Sequence, residues 1–164
     1  MGKAVVPSGI EKIKRSQFIK WINTTPEGNT ATWAVIGVGV NEANIEYNPQ
    51  VDTEKWIIED TARSDHSSNQ KQLSVTQRCY KGDPEFEYVN SCRDKLNSTT
   101  EILEVDTWGG SAGSYPAKKS DCLLAINSYS GEEIEYTIHF NGDPVEGTVA
   151  IANGVPTFTE SASL

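Results

Sequence analysis

From Glu133 to Phe140 the residue type alternates: Ile134, Tyr136, Ile138 and Phe140 are apolar, whereas Glu133, Glu135, Thr137 and His139 are polar. A repeat of two fits only a strand with one face in a core and the other toward solvent, because successive side chains point to opposite faces. The two-residue link Ser130-Gly131, with the apolar run Cys122–Ile126 before it, makes this strand half of an antiparallel hairpin. A sheet with one wet face is what antiparallel pairing permits and parallel crossovers do not.

Further strands are expected at Ala31–Val40, Thr53–Glu59, Lys71–Tyr80, Thr100–Trp108 and Lys118–Ser128, each β-branched or aromatic and bounded by turn residues. Gly147-Thr-Val-Ala-Ile-Ala leads through Asn153-Gly154 into a last extended piece. One helix interrupts the series, over about residues 84–97. Asp83 is placed to cap it, Pro84 suits its first position, and Glu85 and Glu87 complement the positive end of its dipole. Phe86, Val89, Cys92 and Leu96 fall near one face of that helix. The expected fold class is mainly β: an antiparallel β-sandwich or β-barrel with one flanking α-helix. Residues 31–160 form the domain, 161–164 a tail, and residues 1–30 an arm, whose basic Lys12, Lys14, Arg15 and Lys20 suit docking on a neighbouring subunit. The polar stretches Asn41–Asp52 and Asp60–Gln70 read as long exposed connections.

Catalytic chemistry lacks its parts. The two histidines, His66 and His139, lie in a polar stretch and on a polar strand face, and no Gly-x-Ser-x-Gly elbow is present. Gly37-Val38-Gly39 lacks the third glycine and the following helix of a dinucleotide cradle. Gly82-Asp83-Pro84 and Gly142-Asp143-Pro144 are both turn chemistry. Cys79, Cys92 and Cys122 match neither a disulfide framework nor a metal knuckle and read as reduced packing residues. No calcium loop gathers the acids. No enzyme activity, cofactor or metal is expected.

The formal net charge of −9 opposes direct binding of a phosphate backbone. No apolar run approaches the ~20 residues that span a bilayer, and Met-Gly-Lys-Ala-Val-Val-Pro carries no secretory h-region. The expectation is a chain without a membrane anchor that stays where it is made.

Three stretches in order carry a resemblance: Ile45-Glu-Tyr-Asn-Pro-Gln-Val-Asp-Thr-Glu-Lys-Trp-Ile-Ile-Glu-Asp60, Lys81-Gly-Asp-Pro-Glu-Phe-Glu-Tyr-Val-Asn90, and Gly147-Thr-Val-Ala-Ile-Ala-Asn-Gly-Val-Pro-Thr-Phe-Thr159. Together they resemble the tail tube, or major tail, proteins of phages, over roughly residues 30–160. The resemblance implies a subunit whose hexameric rings stack into a hollow tube for DNA. It also implies assembly in the host bacterial cytoplasm, residence in the virion tail, and tail tip or baseplate, tape-measure and terminator proteins as partners. DNA would pass without specific binding. A ring built from one chain needs heterologous contacts, and stacking needs another set. Glu46, Asn48, Asp52, Arg63, Asp65 and His66, on the two long polar stretches, are the candidate ring-stacking residues. Glu133 and Glu135, then Glu104 and Asp106, are the candidate acidic lumen face, which would repel phosphate and let DNA slide. The competing expectation is a β-sandwich carbohydrate-binding or adhesion module that uses Trp108 and Tyr115.

Overall fold

The structure, a computed structural model, describes residues 2–162. The strands among them are β1 Phe18–Asn23, β2 Trp33–Val35, β3 Val40–Glu46, β4 Pro49–Glu54, β5 Arg63–Asn69, β6 Gln72–Arg78, β7 Ser98–Asp106, β8 Tyr115–Tyr129, β9 Glu133–Ala152 and β10 Val155–Glu160. One helix, α1, covers Pro84–Ser91. All strand pairs are antiparallel, and the main sheet runs β2-β1-β7-β8-β9-β6-β3. β9 is long enough to hold β6 beside its first half and β10 beside its second. The sheet curls into a half-barrel, so the mainly β, antiparallel class with one helix is borne out.

Alternation along the strands builds a core on each face. Ile22, Ile102, Leu124 and Ile138 point to one side, where α1 lays Val89 and Cys92 against them. Their chain neighbours Trp21 and Leu103 point to the other side and join Val105, Ala117 and Val149. Each fully buried aliphatic side chain contributes roughly 1.5–3 kcal/mol. β1 is therefore an interior strand, paired with β2 and β7 and buried on both faces. Phe18–Asn23 thus belongs to the sheet and not to an arm, and only residues 2–14 lack helix or strand ahead of it. Of the expected tail at 161–164, residues 163 and 164 lie outside the described residues, as does Met1 of the expected arm.

Other expectations shift for local reasons. The run Ala31–Val40 is not one strand, because the chain turns at Gly39. That residue has φ +75°, and a Cβ there would stand 2.5 Å from the Arg78 carbonyl oxygen, so only glycine fits. The expected Thr53–Glu59 strand stops at Glu54, while both long polar connections are strands: Asn41–Glu46 within β3, Pro49–Asp52 within β4, and Arg63–Asn69 as β5. Gly142-Asp143-Pro144 does not end a strand. It is an irregularity inside β9, opposite the register shift between Lys119 and Asp121, and it spares the ladder a proline that cannot donate. α1 ends at Ser91 and not near residue 97, since the chain tightens through turn hydrogen bonds from Cys92, Arg93 and Lys95 and enters β7 after Asn97 at φ +56°. Leu96 is consequently 91% exposed and not on the apolar face of the helix.

The start of α1 is as read, with the Asp83 carboxylate accepting from the Glu85 backbone N–H at 3.2 Å. Glu85 itself is fully buried, not solvated at the dipole. Tyr136 Oη donates to one of its oxygens, and Gln77 Nε2 donates to the other at 2.6 Å. Gln77 Nε2 also faces Asp83 Oδ2 at 3.1 Å and the Val38 carbonyl at 2.9 Å. Two amide hydrogens cannot serve three acceptors, so a proton on Glu85 relieves the cluster. Burial accordingly pushes the Glu85 carboxyl up to about 7, against the opposing pull of the Tyr136 and Gln77 hydrogen bonds.

A carboxyl that titrates higher in the folded than in the unfolded chain stabilises the fold while it is protonated. That contribution is complete below the unfolded value of 4.5 and is lost as pH rises through about 7. Replacing Glu85→Gln should flatten this dependence. Urea unfolding should show the native chain losing about 3 kcal/mol relative to the variant between about pH 4.5 and about pH 8. Parallel pH profiles for the two proteins would rule the buried proton out.

Candidate assembly surface

β4 and β5 form a two-stranded sheet of their own, with Pro49 opposite Asn69, Asp52 opposite Asp65 and Glu54 opposite Arg63. Every residue of both strands is exposed. This explains the sequence, because strands that bury neither face need no apolar alternation and Arg63-Ser-Asp-His-Ser-Ser-Asn69 has none. A lone hairpin is marginal in water, so its order comes from its two ends.

At the tip, Arg63 donates to both carboxylate oxygens of Glu59 and lies over the Trp56 ring at 4.3 Å. Trp56 Nε1 donates to Glu54 at 2.7 Å. The Arg63 hydrogen bonds hold the Glu59 carboxyl below its ordinary value. This clamp fixes the turn yet leaves Trp56 half-exposed and Ile57 and Ile58 in solvent. The hairpin is also acidic: Asp52, Glu54, Glu59, Asp60 and Asp65 against Lys55 and Arg63 leave a net −3 over residues 49–69.

At the base, Asn48 sits at φ +42° and exchanges hydrogen bonds with Gln70. The next residue, Lys71, reaches into the body. Its ammonium pairs with Glu104 at 2.8 Å, with both side chains mostly buried, and stands 4.5 Å from the Phe140 ring centre and 5.4 Å from that of Tyr47. Lys20, opposite Glu104 in the β1–β7 register, adds a second buried cation, whose pKa burial lowers while the Glu104 charge pulls it back up. Lys71 thus ties the root of the hairpin to β7. No motif surrounds it in the sequence, and its one outward sign is its place where a polar stretch meets a strand.

The candidate stacking residues Asn48, Asp52, Arg63, Asp65 and His66 all lie on this hairpin or at its root, with Glu46 adjoining at the end of β3. All but Asn48, which lies between β3 and β4, stand on paired strands and not on the loops expected. His66 Nε2 and Asn69 Oδ1 are 2.6 Å apart. The four lumen candidates do not share a face. Glu133 and Glu135 are exposed on the polar side of β9, whereas Glu104 and Asp106 fall on the side of β7 that carries Ile102. Glu104 is buried and ion-paired, and Asp106 is half-buried in a cleft of about 420 Å³ with Tyr47, Lys118 and Glu146. Trp108 is exposed, and Tyr115 packs partly against the Trp21 cluster.

Among the described residues, no group of three or more His, Cys, Asp or Glu side chains is arranged to hold a metal ion, and no helix is long and apolar enough to cross a membrane. Cys79, Cys92 and Cys122 are free thiols, and burial pushes Cys122 up to about 12. No family model matches the chain, and no curated protein matches it either.

The anchor predicts a definite cost. Glu104→Gln leaves Lys71 buried without its counter-charge and should destabilise the protein by about 3 kcal/mol, while Lys71→Met with Glu104→Leu should recover part of that loss. Because Lys20 also loses the Glu104 charge in the double variant, the recovery should be only partial, and urea unfolding of the single and double variants measures both effects. A single variant within about 0.5 kcal/mol of the native chain would show that the pair does not hold the root.

Proposed function

We propose that this chain is the structural subunit of a phage or phage-derived tail tube, assembling with copies of itself into stacked hexameric rings around a channel for DNA. The observation that carries the reading is the projecting hairpin. A two-stranded element that is exposed throughout, braced at root and tip, and ended by three large apolar residues has no packing role inside one copy. Contact with another copy gives those residues an environment that water does not. The ordered resemblance of Ile45–Asp60, Lys81–Asn90 and Gly147–Thr159 to tail tube proteins supports the same reading, and the first of these stretches supplies β4 and the apolar tip.

On this proposal Glu133 and Glu135, exposed beside Thr76 and Arg78 of β6, are the acids offered to the channel. An acidic wall repels the phosphate backbone and keeps transit non-adhesive. Glu104 is engaged by Lys71 and takes no part in that wall. Tail tip or baseplate, tape-measure and terminator proteins are the partners proposed for the finished tube, in the virion tail.

The test is negative-stain electron microscopy across a concentration series, comparing the native chain with a variant whose residues 55–62 are replaced by Asn-Gly. The native chain should give rings or tubes with a central hole, and the variant should stay monomeric with an unchanged circular dichroism spectrum. A native chain that remains monomeric at every concentration, with tail-tip components added, overturns the reading.

A further inference from the structure

Residues 2–14 form a second exposed segment, with Val5, Val6, Ile10 and Ile13 at 85%, 78%, 66% and 51% exposure and no helix or strand. Lys3, Lys12 and Lys14 against Glu11 give residues 2–14 a net +2. The hairpin carries the opposite charge, −3, with its own uncovered apolar residues. Since both are exposed, neither covers the other within one copy. Each hairpin strand has one neighbour, so each also keeps an unpaired edge of backbone N–H and C=O groups.

We infer that the segment 2–14 of one copy is the seat of the β4–β5 hairpin of another copy. It adds as a third strand along a free hairpin edge, with Val5 and Val6 beside the apolar tip and the basic residues against the acids. The inference rests on the assembly proposed above and names the surfaces that meet. Backbone pairing satisfies the open edge, and a third strand is what a marginal hairpin lacks. Charge selects the arrangement: hairpin against hairpin sets −3 on −3, whereas hairpin against segment sets −3 on +2. The contact is heterologous, one surface meeting a different one, which is the kind that propagates from copy to copy. The rival seat is the exposed Leu96 with Arg93 and Lys95, where Asp94 and Glu87 reduce the local charge.

Charge exchange tests the pairing. Lys12→Glu with Lys14→Glu, or Asp52→Lys with Asp60→Lys, should each raise the concentration needed for assembly by about tenfold or more, and all four together should bring it back to within a few-fold of the native value. In a second measurement, chains carrying Val6→Cys and chains carrying Ile57→Cys are mixed and oxidised, and a mixed disulfide dimer is expected. If Ile57→Cys crosslinks to Leu96→Cys and not to Val6→Cys, the seat is wrong. If the native chain assembles and deleting residues 2–14 leaves its midpoint unchanged, this inference falls while the tail-tube reading stands. A native chain that never assembles removes both.

Discussion

The long antiparallel ladder between β8 and β9 is the constraint on which the rest of the molecule depends. It runs from Tyr115 opposite Val149 to Tyr129 opposite Ile134 and supports β7 on one side and both β6 and β10 on the other. Strands of this length cannot stay flat, because right-handed twist accumulates along them. The register shifts near Ser120 and Asn127, with Gly142 at φ +71°, mark where the ladder bends. Bending is what lets one sheet enclose Ile138 on one face and Val149 on the other, so both cores follow from a single irregular pairing.

Buried polar groups then locate what the sheet alone does not. Glu85 ties the first turn of α1 to Tyr136 of β9 and Gln77 of β6, and Lys71 ties the hairpin root to Glu104 of β7. Apolar contacts are tolerant of small slides, whereas a desolvated carboxylate or ammonium accepts few positions, because losing its partner costs several kcal/mol. The two clusters therefore act as pins. The helix cannot turn about its axis without stripping a buried carboxyl of its hydrogen bonds, and the hairpin cannot swing at its root without leaving a buried charge unpaired.

How much of this was legible depends on how many faces each strand buries. The first half of β9 buries one face, so its period of two could be read directly, and Asp83-Pro84 and Asn153-Gly154 announced a cap and a turn through chemistry that needs no tertiary context. β1 buries both faces and sits in a basic stretch, so Phe18–Asn23 showed no alternation and passed for an arm. β4 and β5 bury neither face, and for that opposite reason read as loops. Glu85 occupies a position where a solvated acid suits the helix dipole, and only the Tyr136 hydroxyl across the core reveals its burial. Within the candidate surface, the stacking residues fell in the right stretches, whereas the acidic set mixed the two sides of the sheet, because the alternation in β7 does not say which side β9 shares with it.

The complete exposure of β4 and β5 has one more consequence. No side chain on these strands is shared with either core, so apart from Glu54 and Arg63, which hold the tip, their sequence can change at a cost of only about 0.5 kcal/mol to the fold. The body below Lys71 and the hairpin above it are then under separate constraints, one set by burial and the other by whatever the hairpin meets. Such a chain can drift toward a new contact one surface residue at a time and remain folded throughout.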